Sequence, residues 1–375
     1  MSMKFPRNPV CLLLASVLLV LSTGPGAAAT PASPPPPKPA VSGEESIPEV
    51  SPAPDNDAAP AEEPAASPVS AAPNGRKDQV VIGTGPVTGL YFPAGGAIQR
   101  VLNRQEEKTG FHVWTESADG SAANLKALKE GRLDMAIIQS DWQYHAVRGT
   151  GVFRASDAFP DLRSVLTLHA EPLAILVRVG TGIDSLAALE GKTVSPGQKG
   201  SPTRALMDML FAARGWSAGE DLKVVDMAMA DQTEALCSGE VDAIAFVAAH
   251  PNGLVQETAG RCAVSILPVE DVTANSLTGD NPFLVRTRIP GGLYPGVDDD
   301  VPTVGLAATL VTTASADEAM VHAVACGILD RVQDFRDQHP VLHSLTAKTM
   351  AGKPAGADLH PGAERCFREE GLLRK

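Results

Sequence analysis

The chain has 375 residues, of which 31 are Lys or Arg and 44 are Asp or Glu, so its formal net charge is −13. Residues 77–375 alone carry 27 basic and 37 acidic residues. This acidity argues against nucleic acid or an anionic membrane surface as the main partner. A positive field for an anionic ligand must therefore be local, from helix ends and one or two cations.

The first 76 residues predict two segments outside the folded part. Residues 1–29 combine a basic start, an apolar run over 11–21 and small residues at the end, which is typical of a cleaved secretory signal. The run is too short to span a bilayer, although a retained anchor is the alternative. Residues 30–76 are rich in Pro, Ala, Ser and Glu and predict a disordered tether. Residues 77–375 suffice for two α/β domains.

The first predicted elements of the folded part lie in residues 79–103. Residues 80–82 are a continuous apolar and β-branched run, which favours a buried parallel strand. Glycines within 83–89 permit a tight turn, and a helix follows from 91 to 105. The glycine spacing, G-x-G-x-x-x-G, is not that of a dinucleotide loop. A strand–turn–helix unit of this kind predicts one wall of an anion-binding cleft.

Strands and helices alternate along the rest of the chain. The further predicted strands are 111–116, 135–138, 162–168, 173–179, 192–195, 222–225, 241–247, 263–267 and 304–311. The further predicted helices are 121–130, 142–146, 183–189, 201–214, 231–238, 252–258 and 316–339, and short helices and loops fill 341–375. This alternation predicts an α/β protein with mainly parallel sheets.

The alternation is interrupted twice, which predicts two lobes. We expect residues 77–175 to begin lobe 1, 176–270 to form lobe 2, and 271–375 to return to lobe 1 with a hinge strand and C-terminal helices. The long helix after residue 316 needs a sheet to pack on, and the first sheet is available. Two crossing segments make a hinge, and two domains around a hinge enclose a cleft.

Three predicted helix starts combine hydroxyl or small residues with free backbone N–H groups: Thr88–Pro93, Ser121–Asn124 and Ser201–Arg204. If all three face the cleft, they hold one or two carboxylates with little formal charge. Arg204 would add a bidentate clamp. The alternative is that all three are ordinary helix caps.

The densest polar run follows the predicted strand 135–138. Gln139 and Ser140 are candidates for ligand contact because they lie at the carboxyl end of that strand. Asp141 and His145 would suggest catalysis, but an i,i+4 helical pair explains their spacing. No base–nucleophile pair with an orienting third group is evident, so we expect a binding protein and not an enzyme.

Two other features have competing interpretations. His250 follows a predicted strand and either faces the cleft or is satisfied by backbone groups. Residues 298–300 are three consecutive aspartates, which we interpret as a solvated face and not a calcium site. We therefore expect neither a metal nor a cofactor.

Four cysteines lie beyond the predicted signal, and none has metal-ligand spacing. Export makes disulfides plausible. Cys237 and Cys262 are the better pair because both lie in one α/β stretch. Cys326 and Cys366 can also pair, and buried free thiols are the alternative for each pair.

The chain resembles the TAXI group of solute-binding proteins, the extracytoplasmic receptors of TRAP transporters. The segments that carry the resemblance are IGTGPVTGLYFPAGGAI (82–98), ESADGSAANLKALKEGRLDMAIIQSDWQYHAVRGTG (116–151), LHAEPLAILVR (168–178), GSPTRA (200–205), VAAHPNGLVQE (247–257), IPGGLYPGVDDDVPTVG (289–305) and LHPGAE (359–364). They cover nearly all of the folded part in order.

The resemblance implies a two-lobed periplasmic-binding-protein fold of type II and a monomeric receptor in the periplasm. It implies that the receptor closes on a small organic anion, glutamate-like or a dicarboxylate, and delivers it to a fused membrane permease. An alternative is presentation of the solute to a membrane sensor. The positions that the resemblance places at the cleft are Thr88, Gly89, Tyr91, Ser121, Asn124, Gln139, Ser140, Ser201, Thr203 and the stretch around His250.

One loop departs from the family pattern. Residues 198–202 read QKGSP where the family loop has more glycine, as PGSG. Pro202 removes a backbone N–H that could meet the ligand, and Lys199 adds a cation. The departure leaves the identity of the ligand open.

Overall fold

The computed structural model describes residues 78–352 and 356–373, so the predicted signal (1–29) and tether (30–76) lie outside the described residues. The described strands are β1 Gln79–Gly83, β2 His112–Glu116, β3 Met135–Gln139, β4 Leu162–Arg178, β5 Thr193–Ser195, β6 Lys223–Val224, β7 Ala243–Val247, β8 Val264–Ile266, β9 Val285–Ile289 and β10 Val301–Thr313. The described helices are α1 Tyr91–Asn103, α2 Glu106–Thr109, α3 Ser121–Lys129, α4 Ser140–Arg148, α5 Pro202–Arg214, α6 Met229–Ser238, α7 Gly253–Arg261, α8 Asp271–Asp280, α9 Glu318–Leu329, α10 Val332–Arg336, α11 Ala347–Met350 and α12 Pro361–Glu369.

The described strands form one hydrogen-bonded array in the order β2-β1-β3-β10-β4-β7-β5-β6, with β8 added to β4 and β9 to β10. The outer strands are parallel: β1 pairs with β2 and β3 in what we call the first half, and β5 pairs with β6 and β7 in the second half. The central strands β4 and β10 run antiparallel to their neighbours. The predicted α/β class is confirmed, and antiparallel central strands join the two parallel sets.

Strand β4 belongs to both halves. It pairs with β10 from Leu162 to Pro172, and with β7 from Leu173 to Val177. The sequence predicted two strands here, separated at residues 169–172, but the structure has one continuous strand. Pro172 lies where the strand changes partner, a position at which a missing N–H is tolerated.

Strand β10 crosses beside β4 in the opposite direction, and the two approach closely. A Cβ added to Gly305 would lie 2.8 Å from the Cα of Pro172 and closer still to the carbonyl oxygen of Glu171. Buried hydrogen bonds fix the crossing, because the Thr303 hydroxyl donates to the carbonyl oxygen of Leu173 at 2.8 Å. Only glycine fits at this contact.

Each half has its own buried apolar cluster. In the first half, Ile82 of β1 and Ile137 of β3 pack with Ile98 of α1. In the second half, residues of β4, β5 and α5 form a separate cluster that includes Val194 and Leu206. Each half therefore has its own core, and the crossing strands connect the two.

Two predicted regions differ from the structure. Residues 268–301, in which the sequence predicted no helix or strand, contain α8 and β9. In β9, Arg286 and Arg288 are exposed while Ile289 is buried, a period-two pattern that the surrounding Pro and Gly obscured. The predicted helix 316–339 is divided into α9 and α10 by a bend at Arg331, where φ is −123° and ψ is 34°.

Disulfides join two pairs of helices. Cys237 at the end of α6 is bonded to Cys262 after α7, and Cys326 in α9 is bonded to Cys366 in α12. The bonded residues are separated by 25 and 40 positions. Each link lowers the entropy of the unfolded chain and so stabilises the fold by about 3–4 kcal/mol. No helix within residues 78–352 and 356–373 is long and apolar enough to cross a membrane.

We predict that Gly305→Ala destabilises the fold, because the new methyl group would collide with backbone atoms of β4 that cannot move aside. The expected loss in the free energy of unfolding is about 1–3 kcal/mol, measured by urea denaturation. Gly279→Ala is the matched control, since a Cβ at that position in α8 meets nothing within 4 Å. Equal stability of the two variants would contradict the close approach of β4 and β10.

Candidate ligand-binding site

The turn between β1 and α1 presents the amino end of α1 at the carboxyl edge of the sheet. Thr88 is exposed and Gly89 is half-buried in this turn. The N-cap residue of α1, Leu90, has no side chain that can accept from the first helical N–H groups. The amino end of α3 likewise follows a glycine, Gly120, and carries no side-chain cap. Both helix ends therefore offer N–H groups to an anion.

A hydrogen-bonded network links three of the predicted site residues to a glutamate that sequence reasoning did not select. The Ser121 hydroxyl oxygen accepts from the backbone N–H of Gln139 at 3.0 Å. Ser121 is also hydrogen-bonded to the hydroxyl of Tyr91, which in turn donates to the Glu171 carboxylate. The side-chain amide of Gln139 donates to the same carboxylate. Tyr91, Ser121 and Gln139 thus meet around Glu171 on β4.

Two more ionisable side chains lie beside Glu171. The Nε2 atom of His169, two residues earlier on β4, is 3.9 Å from a carboxylate oxygen of Glu171. His169 is 1% exposed, and neither of its ring nitrogens has a hydrogen-bond partner in the structure. Asp141 accepts from the backbone N–H of Trp142 at 2.7 Å at the start of α4. We call Tyr91, Asp141, His169 and Glu171 the acidic cluster.

Burial shifts the proton affinities in the acidic cluster. It raises the pKa of Glu171 to about 7 and that of Asp141 to about 6, because ionised carboxylates lose hydration there. Burial also lowers the pKa of His169 to about 4, so the ring is neutral at pH 7. The pKa of Tyr91 is raised, first by burial and then by the charge of Glu171. The cluster can therefore gain or lose a proton near neutral pH.

Two other predicted residues have structural partners. The Asn124 side-chain amide donates to the backbone oxygens of Thr84 and Ile137, at 2.7 and 2.8 Å, and so ties β1 to β3. The Ser140 hydroxyl donates to the carbonyl of Phe283 at 2.8 Å and accepts from the backbone of β10 at 3.0 Å. Both side chains are fully buried: Ser140 joins α4 to β10, whereas Asn124 supports β1 and β3 and its Oδ1 atom has no partner.

On the second half, the amino end of α5 lies beside the same crossing. Ser201 caps the helix. The Thr203 hydroxyl accepts from the backbone N–H of Val247 at 3.0 Å. Val247 is the β7 residue that pairs with Leu173 of β4. Thr203 is therefore bonded to the β7 residue that pairs with Leu173, and Leu173 follows Glu171 by two positions in β4.

Arg204 is engaged with carboxylates of its own half. Its Nε donates to Asp208 at 2.8 Å, and another guanidinium nitrogen donates to Asp226. The Arg204 side chain is 14% exposed, whereas both aspartates are largely exposed. A ligand carboxylate would have to compete with these two partners for the guanidinium.

His250 lies just beyond the end of β7, before a cis peptide bond to Pro251. Its Nδ1 atom is 2.6 Å from the hydroxyl oxygen of Tyr294, which also accepts from the backbone N–H of Asn252 at 2.6 Å. The Nε2 atom of His250 is buried without a partner. Burial lowers the pKa of His250 to about 4, so this ring is also neutral at pH 7.

The structure thus divides the predicted site residues into three groups. Those that meet at the acidic cluster are Tyr91, Ser121 and Gln139. Those near the end of β7 are Ser201, Thr203 and His250. Those in an exposed turn or with structural or ionic partners are Thr88, Gly89, Asn124, Ser140 and Arg204. The signal for the missed residues, His169 and Glu171, was the presence of two ionisable side chains inside an apolar run.

Two cavities in the described part of the chain lie away from this cluster. A cavity of about 950 Å³ lies at the opposite edge of the first half, against Gln79, Asp134 and Met320. Another of about 620 Å³ lies between α2 and α10. Neither cavity is lined by residues of the acidic cluster.

Among the described residues, one set of three metal-ligand side chains has its donor atoms within 4.8 Å of one another: His322, Cys326 and Glu369. The sulfur of Cys326 is bonded to Cys366, so it is not a thiolate donor. The Nε2 atom of His322 is already 2.7 Å from Glu369. This set is better explained as an ion pair beside a disulfide.

The chain resembles solved structures of periplasmic binding proteins. A periplasmic sulfonate-binding protein, SsuA, from Methylobacillus flagellatus KT is 14% identical, with a TM-score of 0.51 over 79% of this chain and 95% of that one. A TctC solute-binding protein from Polaromonas is 16% identical, with a TM-score of 0.49 over 80% and 98% of the two chains. The aliphatic sulphonate-binding protein SsuA from Escherichia coli is 15% identical, with a TM-score of 0.44 over 72% and 81%.

The likeness to the Methylobacillus protein confirms the predicted fold, the two-lobed fold of periplasmic binding proteins. The chain belongs to the NMT1-like family, whose model matches residues 82–371. The boundaries proposed for the lobes stay predictions.

We predict that Glu171 makes the stability of the protein depend on pH. Its native pKa of about 7 exceeds its ordinary value of 4.5, so its contribution to stability is complete below pH 4.5 and is lost as the pH rises through 7. Relative to Glu171→Gln, which cannot ionise, the parent protein should lose about 1–3 kcal/mol of unfolding free energy between pH 5 and pH 8.

Urea denaturation at each pH measures this difference. The exposed Glu220→Gln is the control and should follow the parent protein at both pH values. A constant difference between the parent protein and Glu171→Gln would show that Glu171 ionises as an exposed carboxylate does.

Proposed function

We propose that the protein is an extracytoplasmic solute receptor of a TRAP-type transporter of the TAXI group. In the periplasm it binds a small organic anion, glutamate-like or a dicarboxylate, between the lobes. It then delivers this anion to a fused permease in the membrane. It performs no catalysis and needs no cofactor. The second candidate is the same binding event coupled to a membrane sensor.

The observation that carries this proposal is the convergence of polar groups from both halves on the crossing of β4. The uncapped amino ends of α1 and α3 come from the first half. The amino end of α5 comes from the second half, with Thr203 bonded to the end of β7. Helix amino ends favour carboxylates without formal charge nearby, which suits a chain of net charge −13.

His250 supplies a further donor for an anion. The Tyr294 hydroxyl accepts from Asn252, and its own hydrogen can satisfy Nδ1 of His250. A neutral ring that accepts at Nδ1 carries its proton on Nε2. Nε2 is the buried ring nitrogen that has no partner, so a ligand carboxylate would satisfy it.

The crossing strands supply the mechanism. Two adjacent connections between lobes restrict the motion to a hinge, and ligand bound to both lobes stabilises the closed state. The amount of closure then depends on how much more tightly the ligand binds the closed state than the open one.

The transporter role is supported by the resemblance of residues 82–98 and 116–151 to TAXI receptors and by the fold shared with a periplasmic sulfonate-binding protein. The export signal predicted in residues 1–29 would place the protein in the periplasm. A sensor role predicts ligand-dependent binding to a signalling partner without a transport defect on deletion. A transport role predicts loss of solute uptake on deletion.

We predict that a small organic acid or acidic amino acid raises the melting temperature of the purified protein. A ligand at 100 times its Kd should add about 2.7 kcal/mol to the stability. A thermal-shift panel of mono- and dicarboxylates, amino acids, sugars and cations measures this directly. A shift with a sugar or a cation but with no carboxylate or amino acid would refute the anion receptor.

We also predict that Arg204→Ala weakens binding of the anion identified in that panel. The loss should be about 1.5–3 kcal/mol if the guanidinium leaves its aspartates to form a charge-assisted bond with ligand. Arg261→Ala is the matched control, because Arg261 is an ion-paired arginine on the same half. Equal affinities of the two variants, measured by calorimetry, would show that Arg204 stays bonded to Asp208 and Asp226 and does not contact the ligand.

A further inference from the structure

We infer that helices α9 and α12 form a Zn²⁺ site when the disulfide between them is reduced. The four ligands are His322 and Cys326 of α9 and Cys366 and Glu369 of α12. In the disulfide form the same residues are an ion pair beside a disulfide, as described above. None of the four belongs to the acidic cluster, so the zinc site is independent of the proposed function.

The first observation is the spacing of the four residues. His322 and Cys326 are four positions apart in α9, and Cys366 and Glu369 are three positions apart in α12. Residues three or four positions apart lie on the same face of a helix. Each helix therefore carries two metal-ligand side chains on one face. The bond between Cys326 and Cys366 shows that these two faces meet.

The second observation is the set of distances between donor atoms. The Nε2 atom of His322 is 3.6 Å from the Cys326 sulfur and 2.7 Å from a carboxylate oxygen of Glu369. All three donor atoms lie within 4.8 Å of one another. In a tetrahedral zinc site, bonds of about 2.0–2.3 Å separate the donor atoms by about 3.3–3.8 Å. The nitrogen–sulfur distance already fits this range, and the nitrogen–oxygen distance must lengthen by only about 0.6 Å.

The third observation is that other contacts also hold α12 against α9. Buried apolar side chains of both helices belong to one cluster. Gly362 lies directly on α9, where an added Cβ would be 2.8 Å from the backbone nitrogen of His322. Arg365 of α12 forms an ion pair with Glu318 of α9 at 2.6 Å. Reduction of the disulfide therefore leaves the ligands close together, as a metal site requires.

The ligand set is open to solvent on one side. The side chains of His322 and Glu369 are 23% and 54% exposed, so an ion can reach them while the two helices stay packed. The other carboxylate oxygen of Glu369 is 3.8 Å from Arg365, which leaves the oxygen beside His322 for the metal. Sulfur, nitrogen and carboxylate ligands in a tetrahedral arrangement are a set that Zn²⁺ accepts.

Reduction and metal binding are two separate steps. A dithiol transfers two electrons and two protons to the disulfide, which leaves a thiol on Cys326 and on Cys366 and a disulfide on the dithiol. Zn²⁺ then replaces both thiol protons, which pass to the solvent, and the two sulfurs move apart to about 3.8 Å around the ion. Reoxidation by a disulfide reagent reverses both steps and releases the ion. The sulfur–sulfur bond and the zinc ion therefore exclude each other, and either one links α9 to α12.

The other disulfide provides an internal comparison. Cys237 and Cys262 are also bonded to each other. In the described part of the chain, neither of them belongs to a set of three gathered donor side chains. A metal site in the reduced protein should therefore depend on Cys326 and Cys366 and not on this second pair.

The test is a titration of the purified protein with Co²⁺, whose tetrahedral thiolate complexes are coloured, followed by displacement with Zn²⁺. Protein that is reduced with dithiothreitol, and freed of it by gel filtration under nitrogen, should bind one Co²⁺ with thiolate-to-cobalt absorption. The untreated disulfide form should not show this absorption. Zn²⁺ should raise the melting temperature of the reduced protein and leave that of the disulfide form unchanged.

Substitutions identify the two ligands that are not cysteines. In the reduced protein, His322→Gln and Glu369→Gln should each weaken Co²⁺ binding by about 100-fold or more. Loss even of a residue that only orients a ligand weakens a metal site by about 10–100-fold. The matched controls are His343→Gln and Glu370→Gln, which change exposed side chains and should keep the parent affinity.

Substitutions of the cysteine pairs identify the sulfur ligands. The double variant Cys326→Ser and Cys366→Ser should lose the cobalt absorption. The double variant Cys237→Ser and Cys262→Ser should retain it after reduction.

Absence of metal binding by the reduced parent protein would overturn the zinc site. Cobalt absorption that requires Cys237 and Cys262, or an affinity that either His322→Gln or Glu369→Gln leaves unchanged, would overturn it too. Unfolding of the reduced protein that Zn²⁺ does not reverse, measured by circular dichroism, is a further contrary result and needs no variant. The thermal-shift panel tests solute binding on the disulfide form, so it decides the proposed function separately.

Discussion

The contact on which the rest of the structure depends is the antiparallel crossing of β4 and β10 at Glu171, Pro172 and Gly305. Backbone atoms approach there so closely that a side chain at Gly305 is excluded. The same three positions mark where β4 leaves β10 as its partner and takes β7. The connection of the two cores and the position of Glu171 both follow from this one pairing.

The crossing also explains why ionisable groups are tolerated in the middle of a buried strand. The burial that raises the pKa of Glu171 opposes folding at neutral pH unless hydrogen bonds offset it. Tyr91 and Gln139 provide those bonds from two other elements. His169 receives no such compensation. Such incomplete satisfaction is typical of places where a ligand completes the structure.

Much of the architecture could be predicted from local patterns, whereas the centre of the candidate site could not. Apolar runs and helix starts identified β1, β3, α3 and α5, because periodicity and capping are properties of neighbouring residues. Continuity of β4 through Pro172 depends on its partners β10 and β7, which lie far away in sequence. Glu171 was passed over for the same reason: its network is assembled from α1, α3 and β3. The sequence predicted that Arg204 is available to a ligand, because its partner Asp226 lies 22 residues later and local spacing does not identify it.

Taken together, these contacts favour a receptor over an enzyme on physical grounds. The polar groups at the crossing are hydrogen-bond donors at helix ends on one side and unpaired carboxylates on the other. Donors at helix ends suit the anion receptor proposed above, because they bind a carboxylate without forming a covalent bond to it. The donors are contributed by both halves, so under the proposed function full contact with a solute would require the halves to close around β4 and β10. In the receptor that we propose, affinity and hinge closure are therefore one equilibrium, because the ligand contacts groups of both halves only in the closed state.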